Sequence, residues 1–314
     1  MADAPDCHRS VMIDGKVFRT VAPEAWSGSR RLADMDAMGV ELQVLSPMPE
    51  LLSYWMDPVP GAALCRHLNE QIAAAVAERP DRFVGLAAVP LQDVGRAVDE
   101  MQYAVGKLGL AGVEIGTNVN DVPLGDASLL PFFEAAEALD AAVFIHPLRP
   151  CGMSRLVGPA ALEQVLAFPG ETGLAAASLL TGGTLTRCPR LRIALSHGGG
   201  SFATLVARLQ HAWQVLPVLQ EKLHEPPLAL ARRLYFDSLV YHPALLREQI
   251  EMFGVTQTVI GTDYPFVIRD THPVNRLQLL GLGQANDRLL IRDNALRWLG
   301  RQQGGNTLHT ERRS

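Results

Sequence analysis

The chain has 314 residues, 48% of them hydrophobic and 19% charged, which is enough for one large α/β domain with a sizeable core. Its formal net charge is −5 and it has no basic block, which excludes an electrostatic footprint for nucleic acid. No apolar run reaches the roughly 18–20 residues that cross a bilayer, and the polar opening MADAPDCHRS lacks the regions of a secretory signal.

Four scattered cysteines (Cys7, Cys65, Cys151 and Cys188) without CxxC spacing read as reduced thiols of a cytoplasmic protein. Residues 8–30, HRSVMIDGKVFRTVAPEAWSGSR, predict a small β-hairpin turning at Asp14-Gly15 and then an extended segment. From Val40 onward two kinds of segment alternate. Short apolar runs occur at VELQVLS (40–46), RFVGLAAVP (82–90), AGVEIG (111–116) and AAVFIHP (141–147). They continue at RIALSHGGG (192–200), RLYFDSL (233–239) and TVIGTDYP (258–265), with Gly, Pro, Ser, Asp or His breaking each into a turn.

Between them, ALCRHLNEQIAAAVAERP (63–80), VGRAVDEMQYAVGKLG (94–109) and LLPFFEAAEALD (129–140) have apolar residues at helical spacing. Near-continuous apolar strands joined by amphipathic helices indicate a parallel sheet buried on both faces. The rhythm predicts a TIM-type (β/α)8 barrel that lacks one of its eight strands. Residues 1–300 form a single domain in this reading, with 8–30 as a hairpin insertion. Residues 301–314, RQQGGNTLHTERRS, read as a disordered tail.

In such barrels the active site lies at the C-terminal strand ends. Three polar residues fall there on separate strands: His146, His197 and Asp263. Singly, each is most simply a strand-end residue bonded to loop backbone; together they make a candidate site. Imidazole and carboxylate suit Zn²⁺ and similar divalent ions, and such an ion lowers the pKa of a bound water towards ~7. A further histidine can carry the proton. The glycines after His197 allow close backbone approach and offer N–H groups to an anionic ligand, although they equally suit a plain tight turn. Asp237, ending YFD, is another strand-end carboxylate, with a structural role expected.

FIHP, SHGGGSFATLVARLQHAW, YFDSLVYHPALL and VIGTDYPF together resemble the amidohydrolase-2 branch of the amidohydrolase superfamily, and within it the aminocarboxymuconate-semialdehyde decarboxylases. VMIDGKVFRTVAPEAW, RLADMDAMGVELQVLS and AVPLQD extend the likeness over residues 10–299. The resemblance implies a divalent metal, zinc with manganese as the alternative, held by His146 and Asp263. It makes His197 the general acid/base, Arg19 the ligand of a substrate carboxylate, and Phe266 part of the pocket. Arg208 would reach into the neighbouring subunit's site, which implies a homodimer. Lys16 is a further substrate contact, one residue closer to Arg19 than the family spacing. Without the resemblance, Arg19 reads as a surface residue of the hairpin and Arg208 as a solvated helix residue.

Members of that family open with a strand carrying His-x-His, whose side chains point to one side and supply two more metal ligands. This chain has no HxH, and its opening MADAPDC matches the family after that strand. The missing pair and the missing eighth strand are therefore one absence. The expectation is a late start or truncation; the alternative is a barrel that lost the strand and is catalytically impaired. The expected activity is non-oxidative decarboxylation of an unsaturated or aromatic carboxylic acid. Hydrolysis of a lactone or amide uses the same chemistry, and a non-catalytic barrel that binds a ligand or a partner chain is the third reading.

Overall fold

The structure, a computed structural model, describes residues 2, 3, 8–13 and 15–301. Its centre is a curled sheet of seven parallel strands in sequence order: β1 (Gln43–Leu45), β2 (Phe83–Ala87), β3 (Gly112–Gly116), β4 (Ala142–His146), β5 (Arg192–Leu195), β6 (Tyr235–Asp237) and β7 (Thr258–Val259). Parallel neighbours need a crossover, and helices supply it. The longer ones are α1 (Gly28–Met38), α2 (Pro58–Glu78), α3 (Val94–Gly106), α4 (Leu130–Ala138), α5 (Phe168–Thr181), α6 (Phe202–Val215) and α7 (Pro243–Phe253). All seven expected strands form. Among the described residues β1 and β7 remain edges, so the barrel is short of one strand as the sequence implied.

Because strand side chains alternate with period two, each strand divides between two cores. Val113, Ile115, Val143, Ile145, Ile193, Leu195 and Phe236 pack outward in one cluster with residues of the helices. Val84, Leu86, Ala142, Phe144, Ala194, Tyr235 and Val259 form the inner cluster, together with Trp298 and Leu299. Trp298 packs edge-on against Phe144, and its carbonyl accepts from Arg192 Nε at 2.7 Å, at the N-terminal end of β5. Apolar residues thus fill the lower barrel, and polar strand ends are left at the other mouth.

The hairpin forms from Arg9–Ile13 and Lys16–Val21, paired antiparallel, with Gly15 at φ 73° in its turn. Ala2–Asp3 pairs with its outer strand. The segment expected to stay extended through residue 30 does not: Pro23–Ala25 is a 3₁₀ turn and α1 starts at Gly28, with Ser27 Oγ accepting from the Arg30 N–H at 3.4 Å. Pro23 and Ser27 are helix-start residues that the extended reading overlooked. The proposed tail, apart from Arg301, lies outside the described residues.

Phe236 is fully buried, stacked 4.0 Å from Phe253 and 6.2 Å from Phe202. It also backs the turn after β5: a Cβ on Gly199 would come within 2.8 Å of its ring. Phe236→Ala is expected to cost about 3–5 kcal/mol of stability, read as a lower denaturant midpoint with an unchanged slope.

Candidate metal centre

His146 is the last residue of β4, on the inner face that Phe144 occupies one step below. Its ring is partly buried, and Nδ1 lies 3.0 Å from the Pro147 carbonyl oxygen. A carbonyl only accepts, so Nδ1 carries the proton and Nε2 keeps its lone pair for a metal. Burial and the nearby His197 push the His146 pKa down to about 3, which keeps the ring neutral.

His197 begins the turn after β5, and its ring centroid lies 5.2 Å from that of His146. Four successive residues take positive φ: His197 (54°), Gly198 (61°), Gly199 (76°) and Gly200 (58°). Gly200 has no alternative, since a Cβ there would sit 1.8 Å from the Pro169 carbonyl oxygen. His197 adopts a conformation that costs a non-glycine residue on the order of 1–3 kcal/mol. Asp237, at the end of β6, holds it there. One carboxylate oxygen accepts from His197 N at 2.9 Å, and the other from Gly198 N at 2.7 Å and Leu239 N at 2.9 Å. This corrects the expectation that the HGGG amides serve an external anion: the first two point at the protein's own carboxylate. Gly199 N and Gly200 N donate to Ser196 and His197 carbonyls. Burial pushes Asp237 up to about 6, with the three N–H donors opposing.

Asp263 follows β7, also at positive φ (58°). Its neighbour Tyr264 donates its hydroxyl to Asp34 on α1 at 2.7 Å, with Arg31 stacked 4.8 Å over the ring. Donor atoms of His146, His197 and Asp263 all lie within 4.8 Å of one another. Two ligands sharing an ion sit up to about 4 Å apart, so His146 and Asp263 are placed to share a divalent ion after a modest side-chain adjustment, with His197 beside it. Burial disfavours the charged form of both His197 and Asp263, lowering the first and raising the second, while their mutual attraction opposes this.

The three residues line one cavity of about 300 Å³, the lower end of the range for small-molecule sites. Arg19 and Phe266 line it too, with the guanidinium 4.9 Å over the Phe266 ring. Arg208 does not: it is exposed on α6. The Lys16 side chain lies outside the described residues. The sequence reading missed Glu50 and Tyr241, both in the cavity wall. Each lies four or five residues beyond the end of its strand, in a connecting loop, so neither closes an apolar run as Asp263 does. Deeper in the barrel, burial pushes the Glu114 carboxyl up to about 8, so it is protonated at neutral pH.

A family model described as amidohydrolase matches residues 6–301. The 2-amino-3-carboxymuconate-6-semialdehyde decarboxylase of Dictyostelium discoideum is 35% identical over 296 residues, 94% of this chain and 82% of that protein. Among solved structures, a 2,6-dihydroxybenzoate decarboxylase from Rhizobium superposes with a TM-score of 0.76 at 26% identity, over 86% of this chain and 87% of that one. A dihydroxybenzoic acid decarboxylase from a Polaromonas species, with bound manganese and the inhibitor 2-nitroresorcinol, gives 0.77 at 25% identity, over 86% and 85%.

Asp237→Asn is expected to turn an amide NH₂ towards at least one backbone N–H, losing charge-assisted bonds worth about 1.5–3 kcal/mol each. The denaturant midpoint should fall, and the activity described below should drop further than the stability loss alone explains.

Proposed function

Because this chain belongs to the amidohydrolase family, we propose that it is a metal-dependent decarboxylase, removing CO₂ without oxidation from an aromatic or unsaturated carboxylic acid. The observation that carries this is the convergence of His146, His197 and Asp263 in one small cavity shared with Arg19 and Phe266. The relatives named above are all decarboxylases of such acids, which supports the same chemistry.

His146 and Asp263 would hold a divalent ion, which supplies Lewis acidity at the acid function. Zinc fits nitrogen and carboxylate donors, and the manganese in the Polaromonas relative favours that ion as the alternative. His197 holds the proton that the reaction consumes. The bond between the ring or chain carbon and the carboxylate breaks, its electron pair stays on carbon, and the His197 proton forms the new C–H bond. Water then returns a proton to His197. Phe266 and Arg19 line the cavity that would receive the acid, and burial keeps the His146 ring neutral with its lone pair available to the ion.

Arg208 acts in a second copy of the chain. Its exposure on α6, and the exposed apolar residues Val165, Leu166, Leu174, Val215 and Val218 on and beside the packed pair α5 and α6, support a homodimer. The free thiols of Cys65, Cys151 and Cys188, and the absence among the described residues of a helix long and apolar enough to cross a membrane, support a cytoplasmic site of action.

Chelation should abolish CO₂ release from candidate hydroxybenzoic and amino-unsaturated acids, and Zn²⁺ or Mn²⁺ should restore it. His197→Asn should cost ~10²–10⁴-fold in rate at unchanged metal content by elemental analysis, whereas His146→Ala should lose the metal. Ring opening of a lactone without CO₂, or a metal-free protein after growth with metal, overturns the proposal. Mixing Arg208→Ala with His197→Ala protein should restore roughly a quarter of the activity, since half of randomly paired dimers carry one intact site.

A further inference from the structure

Among the described residues β1 and β7 are the two unpaired edges of the barrel sheet, and Asp263 lies past the end of β7. β7 is only Thr258–Val259, laddered to β6 alone. On the β6 side the following turn is tied by Gly261 N, which donates to Ser238 Oγ at 3.2 Å. Towards the open seam the ties are side chains. The Tyr264 hydroxyl donates to Asp34 Oδ2 at 2.7 Å, and Arg31, one helical turn earlier on α1, lies 4.8 Å over the same ring. Arg31 Nη1 in turn donates to Gln43 Oε1 at 3.0 Å, and Gln43 is the first residue of β1. The two edges of the sheet are thus joined across the seam through one phenol, one carboxylate, one guanidinium and one amide.

We infer that Tyr264 and Asp34 are positioning residues for the metal centre: their bond clasps the seam between β7 and β1 and so sets where the Asp263 carboxylate stands relative to His146. This rests on the reading of His146 and Asp263 as metal ligands, and adds two residues that act on the ion only through Asp263. His146 ends β4, the middle strand of the seven, whereas Asp263 lies past one edge. The spacing of the two ligands therefore depends on how far that edge can open. Tyr264 is the peptide neighbour of Asp263, so a fixed ring fixes the peptide between them. Asp263 itself has φ 58°, a conformation that relaxes unless its surroundings hold it. The phenol-to-carboxylate bond is charge-assisted, and the guanidinium over the ring face restrains it further.

Titration of the full chain with Mn²⁺, followed by calorimetry, tests the clasp without substrate or turnover. Tyr264→Phe keeps the ring under Arg31 and removes only the hydroxyl; it should weaken Mn²⁺ binding by roughly tenfold, the lower end of what partners that orient metal ligands contribute. Asp34→Ala should weaken it by a similar factor, and the double variant by no more than either alone, because both changes remove one bond. Asp34→Asn should recover most of the affinity, since its amide oxygen still accepts from the phenol. Variants that bind Mn²⁺ like the wild type and show only a lower denaturant midpoint would make the bond merely structural and overturn the inference. Additive losses in the double variant would overturn it as well. Wild-type protein that takes up no Mn²⁺ removes the metal-centre reading and this inference with it, whereas equal uptake across the whole series removes this inference alone.

Discussion

Three backbone N–H groups converge on the Asp237 carboxylate, and the arrangement of the mouth of the barrel follows from that convergence. The turn after β5 must reverse within four residues of positive φ, one of them a histidine. Such a turn relaxes unless something rewards it. Asp237 does so by taking one N–H from His197 and one from Gly198, while its third bond, from Leu239, anchors the carboxylate to its own strand. Burial alone would favour the protonated acid, so the charge persists at neutral pH only because three donors face it. The His197 ring is thereby held against His146 by a group that touches no ligand.

The rest of the site uses the barrel's division into two ends. Inner-face residues from six strands fill the lower interior with apolar side chains, closed beneath by Trp298. The upper interior can then be polar without leaving a void. Loops bring the remaining pieces to that rim from distant parts of the sequence. Arg19 arrives on the hairpin, Glu50 on the loop after β1, and Asp263 on a turn whose tyrosine is pinned to α1 by Asp34. None of these loops must be long, because the strands already end at one level: His146 lies opposite Gly116, and Ser196 N donates to Ile145 O.

This explains what was legible in the sequence. Seven apolar runs between amphipathic helices gave the sheet, because burial on both faces leaves a composition that no surface segment shares. His146 and Asp263 were legible because a polar residue closing an apolar run is conspicuous. Glu50 was not, since it lies several residues beyond its strand in a segment, SPMPELL, that carries no strand or helix signal of its own. The glycines of HGGG were legible as backbone freedom, but their partner was not. Which anion receives their N–H groups depends on how β5 and β6 pair, a contact across 40 residues. The start of α1 was misread for a smaller reason: Ser27 caps it through a local bond that a hydropathy pattern does not register.

Three buried carboxyl groups near the site then separate by how their oxygens are satisfied. Asp237 has both oxygens bonded by backbone, which leaves no capacity for a ligand and makes it structural. Glu114 sits away from the cavity and from any cation close enough to offset its burial, so it stays neutral and places no charge beneath the metal centre. Glu50 is the intermediate case: one oxygen is held by a cation and the other is buried at the cavity wall without a protein donor. A fold gains nothing by leaving that oxygen unpaired, since a hydrophobic residue of similar size would cost less there.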